Sequence, residues 1–98
     1  MAKYLVLWEI DPARVPISAK ERGTAWLAMI EMMKADMKKG FVKDWGAFPG
    51  EMKGYSIGEG SEMDLVGECL QYLPYVKFEV HTVISLAQDE QVIRASMK

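Results

Sequence analysis

The only histidine of the chain, His81, lies in the stretch YVKFEVHTVI (residues 75–84), two positions from Glu79 and four from Lys77. An imidazole titrates near neutrality and so suits proton transfer. A carboxylate beside it, such as that of Glu79, would favour the imidazolium. The stretch alternates as a strand does: Lys77, Glu79, His81 and Val83 point one way, and Phe78, Val80, Thr82 and Ile84 the other. Residues i and i+2 on a strand stand roughly 6–7 Å apart, so contact between Glu79 and His81 calls for extended rotamers. His81 and Glu79 are the candidate catalytic acid and base. The same row also reads as a hydrated outer sheet face, or as an ion network between subunits. No serine or cysteine stands at a spacing that would complete a nucleophilic triad.

The second candidate constellation is aromatic. Trp8, Trp26 and Trp45, with Tyr4, Tyr55, Phe41 and Phe48, could line an apolar pocket whose few polar groups are Asp44, Lys43 and His81; small-molecule sites have this make-up. The candidate substrate-binding residues are Lys43, Asp44, Trp45, Tyr55, Lys77 and Trp8. Lys43 or Lys77 would hold the carboxylate of a small cyclic or aromatic acid. Ordinary core packing competes with this reading, above all for Trp26. Met29, Met33 and Met37 read as core filler or as an adaptable binding surface.

Other chemistries find less support. The segment GEGSEM (58–63) resembles a dinucleotide-binding turn but has Met63 in place of the third glycine, and Glu59 and Glu62 would repel a pyrophosphate. Neither H-x-x-E-H nor C-x-x-C occurs, and the acids are too dispersed for a calcium loop. No metal and no cofactor is expected. Haem held by His81 is the one alternative, since a single histidine is enough for axial ligation.

The chain has 98 residues, half of them hydrophobic, and a net charge of −2. That length suits one domain spanning 1–98. A chain of this size buries roughly 60–70% of the surface its unfolded form exposes, so part of so large an apolar content is expected against another subunit. No run of Lys and Arg exceeds two residues, which removes the electrostatic footprint of nucleic-acid binding. Cys69 is alone, so no intrachain disulfide forms and a reducing cytoplasm is expected. The apolar run Tyr4–Trp8 is too short for a secretory signal, and nothing approaches the ~18 apolar residues of a membrane span.

Elements to position these residues follow from pattern. Lys3–Ile10 reads as a strand with apolar residues on both faces. Ser18 with Glu21 has the spacing of a capping box that opens a helix over Ala19–Lys39, stopped by Gly40. Ala19, Gly23, Trp26, Met29, Ile30, Met33 and Met37 fall within an arc of roughly 120° on it. FVKDWGAF (41–48) and EMKGYSIGE (51–59) read as strands joined at a Pro49-Gly50 type II turn. A two-residue hairpin would oppose Trp45 to Gly54, Lys43 to Ser56 and Phe41 to Gly58. The nearly bare row Gly54, Ser56, Gly58 then invites either overlying aromatic rings or the close approach of a ligand or another backbone. Ser61 caps a second helix from Glu62 to about Tyr72, with Leu65, Val66, Cys69, Leu70 and Leu73 as its expected buried side. Pro74 ends it, Tyr75–Ile84 is the fourth strand, and Ser85–Met97 forms a terminal helix.

The order β-α-β-β-α-β plus a tail helix is ferredoxin-like: an α+β fold with a four-stranded antiparallel sheet, helices on one face and an extra C-terminal helix. Two helices cover one face of the sheet, so the apolar second face of the first strand points to a dimeric α+β barrel. The segment GEMKGYSIGEGSEMDLVGECLQYLPYVKFEVHTVISL (50–86), with KYLVLWE (3–9), resembles the muconolactone isomerase-like branch of the dimeric α+β-barrel superfamily, and is closest to its uncharacterised members. The resemblance implies that subunit fold, a homodimer or higher homo-oligomer and a pocket near the sheet. It matches no catalytic position. The expected function is binding of a small molecule in that pocket, with an isomerase-like reaction as its catalytic form. The alternatives are a non-catalytic ligand-sensing or assembly module, and a cofactor-independent or haem-dependent monooxygenase-like protein.

Overall fold

A computed structural model describes residues 2–98. The elements run β1 (Ala2–Ile10), a short 3-10 turn (Pro12–Arg14), α1 (Ala19–Lys39), β2 (Val42–Ala47), β3 (Lys53–Gly60), α2 (Glu62–Leu70), β4 (Val76–Val83) and α3 (Leu86–Ser96). This is the α+β order expected from sequence. The strands form one antiparallel sheet in the order β2-β3-β1-β4.

Local chemistry explains the boundaries. Gly40 adopts φ 101°, a left-handed conformation that ends α1 where a side chain would be strained. At the start of α1 only half of the capping box forms: Ser18 Oγ accepts from the Glu21 N–H at 3.3 Å. The complete boxes are at α2, between Ser61 and Asp64, and at α3, between Ser85 and Gln88. Hydrogen bonds from Ser61, first its backbone N–H and then its side chain, lower the Asp64 carboxyl below its ordinary range, as suits a carboxylate at a helix start.

The β2–β3 connection departs from the expected hairpin. Glu51 N–H donates to the Phe48 carbonyl, and Gly50 has φ 80°, as a turn centred on Pro49-Gly50 requires. Phe48 N–H, however, donates to Lys53 O, so Glu51 and Met52 extend the loop. Ala47 therefore faces Gly54, Trp45 faces Ser56 and, past an irregularity between Val42 and Asp44, Val42 faces Gly58. Between Ala47 and Trp45 the register has slid by two residues, which preserves the faces, since side chains alternate with period two.

The bare row of β3 is filled by rings. A Cβ on Gly58 would collide with the Phe41 ring, and one on Gly54 would collide with Trp8 and the Gly46 carbonyl. Trp8 and Trp45 stack with centroids 5.3 Å apart and planes 10° from parallel. Trp8 Nε1 donates to the Tyr55 carbonyl at 3.2 Å, which satisfies the indole on this half-buried face.

α1 and α2 lie over the sheet face that carries Val6, Trp8, Ile10, Ser56, Val76 and Phe78. On α2 the inward side is Leu65, Glu68 and Cys69, with Tyr72 in the turn that follows. The expected buried positions Val66, Leu70 and Leu73 are instead exposed, Leu70 by 61%. Val66 and Leu70 lie roughly 100–140° round the helix from Leu65, so turning Glu68 and Tyr72 inward turns them out. α3 stands away from the sheet, with Leu86 89% exposed and Val92, Ile93 and Met97 also open. Its projection fits principal extents of 61 × 26 × 20 Å and a radius of gyration of 16.3 Å, against about 13 Å for a compact chain of this length.

Candidate functional site

Between the helices and the sheet lies a half-open cavity of about 280 Å³. The sheet supplies the stacked Trp8 and Trp45 together with Phe78 as its floor. α1 contributes Trp26, Met29 and Met33 from its apolar stripe, and α2 contributes Leu65 and Cys69. Phe41, at the entry to β2, covers the glycine row at one side.

The polar part of this apolar space is concentrated where α1 meets α2. Asp36 is 2% exposed, the most buried side chain of the core. Tyr72 Oη donates to Asp36 Oδ2 at 2.6 Å, a short bond of the kind made to an ionised acceptor. Glu68 lines the cavity beside them. Burial pushes its carboxyl from an ordinary value of 4.5 up to about 8; a hydrogen bond to the Asp36 carboxyl and the Asp36 charge add to this, and Lys39 opposes it. Two carboxyl groups in one poorly hydrated place resist being ionised together, and the more easily neutralised one keeps its proton. Glu68 Oε2 is enclosed and no N–H or hydroxyl of the described residues donates to it, so the bond to Asp36 is one that only the protonated carboxyl makes.

The same environment acts on its neighbours. Burial, and then the bond to Asp36, raises the Tyr72 phenol well above its ordinary range. Burial, and then the Glu68 charge, pushes the Cys69 thiol up. Tyr72 is therefore a fixed hydrogen-bond donor and Cys69 an unreactive thiol at neutral pH. Glu68 is the group poised to exchange a proton between pH 7 and 8.

The residues singled out from sequence divide between the two faces of the sheet. Trp8 and Trp45 line the cavity. Glu79, His81 and Lys77 alternate onto the opposite face, in register with Leu7, Leu5 and Glu9 of β1. His81 Nε2 reaches Glu79 Oε2 at 3.6 Å, with both side chains more than half exposed. Tyr55 and Asp44 also lie on that face, where Tyr55 Oη donates to Asp44 Oδ2 at 2.7 Å and its phenol is raised by that bond. Lys43 is exposed at the β2 irregularity. The structure thus brings together Trp8 with Trp45, His81 with Glu79, and Tyr55 with Asp44, as separate pairs.

Sequence reasoning missed Asp36, Glu68 and Tyr72. The signal was present. Asp36 stands seven residues after Met29 and three after Met33, at the edge of the apolar stripe of α1. Glu68 and Tyr72 stand three and seven residues after Leu65, on the inward side of α2. Acids at stripe positions of two facing helices mark a buried polar contact.

No family model matches the chain, and no curated protein is significantly similar to it. Among the described residues, no three His, Cys, Asp or Glu side chains are grouped as metal ligands, and no helix is long and apolar enough to cross a membrane.

Proposed function

We propose that the chain binds a small, largely apolar, ring-bearing molecule in the cavity between helices and sheet, and that Glu68 exchanges a proton with it. The observation that carries this reading is a carboxyl with its pKa pushed to about 8, held at the wall of a space lined by aromatic side chains. A general acid or base works best when its pKa lies near the operating pH. Asp36 and Tyr72 orient it and hold the charge. An isomerase-like proton transfer is the catalytic form of this reading, and ligand sensing the non-catalytic one; turnover of a bound molecule distinguishes them. The test of binding is titration with a neutral apolar dye, followed by its fluorescence and by quenching of the tryptophans. Saturable binding that Trp8→Ala abolishes supports the proposal, and dye that fails to saturate, or binds Trp8→Ala equally, refutes it.

A second reading concerns assembly, and a specific observation favours it. Leu86, Val92 and Ile93 of α3, Met97 just after it, and Met63, Val66 and Leu70 of α2 are exposed in the single chain, and Leu5, Leu7 and Ile57 of the open sheet face are only half-buried. Apolar surface of this extent suits a homodimer or higher homo-oligomer. The resemblance of 50–86 to muconolactone isomerase-like proteins supports a dimeric α+β barrel of ferredoxin-like subunits, and the lone half-buried Cys69 suits a reducing cytoplasm. Light scattering at micromolar concentration tests the assembly, and a clean monomer refutes it.

A further inference from the structure

We infer that the ligand of this cavity carries a positive charge, a protonated amine on an aromatic or apolar body, whose N–H groups donate to the Glu68 carboxyl group. The inference rests on the cavity being a binding site and adds the chemistry of what enters it.

Four features converge. First, Glu68 Oε2 is enclosed and no N–H or hydroxyl of the described residues donates to it; its bond to Asp36 lasts only while Glu68 keeps its proton, and an ammonium group brings up to three N–H donors to the ionised carboxylate. Second, the ionisable carboxyls lining the cavity are Glu68 and, at its loop side, Glu51, and no Lys, Arg or His is among the lining residues. A carboxylate ligand would therefore find no cation there. Lys39 acts on Glu68 only as a partial counterweight, and its side chain is exposed. Third, the rings of Trp8, Trp45, Trp26, Tyr72 and Phe78 border the space, and the faces of such rings attract cations, most strongly when water is excluded. Fourth, the neighbouring Asp36 already takes the Tyr72 hydroxyl, so the carboxyl available to a newcomer is that of Glu68.

The groups that face Glu68 are Asp36 and Lys39 of α1, Cys69 of α2 and Tyr72 of the turn. None of the four supplies a full counter-charge at the Glu68 oxygens, and Asp36 opposes ionisation. An arriving ammonium does supply one. Glu68 then ionises, and its proton leaves to solvent. About one pH unit or more below 8, binding of the cation therefore releases close to one proton per molecule bound.

The experiment uses three probes that share one ring system: naphthylmethylamine, naphthalenemethanol and naphthoate. Each is titrated into the full chain at pH 7 by calorimetry, in two buffers of different ionisation enthalpy. The amine is expected to bind about tenfold or more tightly than the alcohol, and the acid more weakly than the alcohol. The amine alone should release a proton. In Glu68→Gln the preference for the amine and the proton release should vanish. Alcohol binding equal to or tighter than amine binding, or amine binding without proton release in the unaltered protein, overturns the inference and leaves the cavity reading standing. If none of the three probes binds, and the neutral dye does not either, the cavity reading itself has failed.

Discussion

Glu68 makes the stability of the fold depend on pH in a direction opposite to that of most carboxylates. Unfolded, it loses its proton near 4.5; folded, near 8. Between those values the folded chain holds a proton that the unfolded chain has released. Stability from this group is full below about pH 4.5, declines as the pH rises, and is lost by about pH 8, above which the effect levels off. At full strength such a shift is worth about 4–5 kcal/mol. Glu68 is only half-buried, and solvent screening reduces the effect to about 2 kcal/mol. Glu68→Gln replaces the carboxyl with a neutral group of the same shape, so it removes the pH dependence and leaves the packing. The assay is urea unfolding of both proteins at pH 5, 6, 7, 8 and 9, at one fixed concentration so that any linked assembly contributes equally. The curves should lie closest at pH 5 and separate towards pH 8, with the variant the more stable by about 2 kcal/mol. A separation that stays constant within about 0.5 kcal/mol from pH 5 to 9 would refute the placement of Glu68 against Asp36.

Three further outcomes are expected. Tyr72→Phe removes the donor from a buried carboxylate oxygen at Asp36, and urea unfolding should show a loss of about 1–3 kcal/mol. Gly54→Ala forces a Cβ into the Trp8 ring and the Gly46 carbonyl, whereas Gly67→Ala on α2 meets nothing within 4 Å. The first should destabilise by about 1–3 kcal/mol and the second should stabilise by about 0.5–1 kcal/mol, a contrast that thermal unfolding would read directly. His81→Ala lies on the far side of the sheet from the cavity and should leave affinity for the neutral dye unchanged within a factor of about two; a larger loss would move the binding site to the other face.

The fold was legible where a single local rule decided the outcome. The span of α1 is as expected because Ser18 and Gly40 have few roles other than cap and stop in their settings. The alternation of β4 was readable because a strand with one apolar and one polar row has no other regular conformation that segregates them. The hairpin register was not, because Pro49-Gly50 defines a turn without saying how many residues follow before pairing resumes, and Glu51 and Met52 resemble strand residues. The orientation of α2 was misread for a related reason. Its leucines and valine cover more than one side of the helix, and hydrophobicity alone favours turning Val66 and Leu70 inward. What overrides it is the contact of Glu68 and Tyr72 with Asp36, a residue 32 positions before Glu68 in the chain. The spacing of each helix admits Asp36, Glu68 and Tyr72 to its inward side, but neither helix alone shows that the other holds a polar partner for them. The aromatic half of the candidate site, Trp8 and Trp45, was visible by residue type; its acidic half looked like ordinary helix surface.

That acidic half bears on why the cavity is a site rather than a packing fault. Well-packed apolar residues at positions 36, 68 and 72 would fill the space between α1 and α2 with less cost than two carboxyl groups, since desolvating such groups is seldom repaid in stability. Asp36 recovers part of that cost through the Tyr72 hydroxyl. Glu68 recovers less, because it bonds Asp36 only by keeping its proton and accepts from no donor among the described residues. A group that lowers stability as the pH approaches 8, beside an aromatic space of about 280 Å³, is poorly explained as scaffold. It is well explained as a group whose missing partner arrives from solution. A cationic ligand would relieve the penalty by ionising Glu68, so its binding and the stability of the fold should be linked. The chain saturated with amine should then lose the pH dependence that Glu68→Gln also removes, and unfolding at pH 8 should require more denaturant with the amine than with the alcohol at the same free concentration of each.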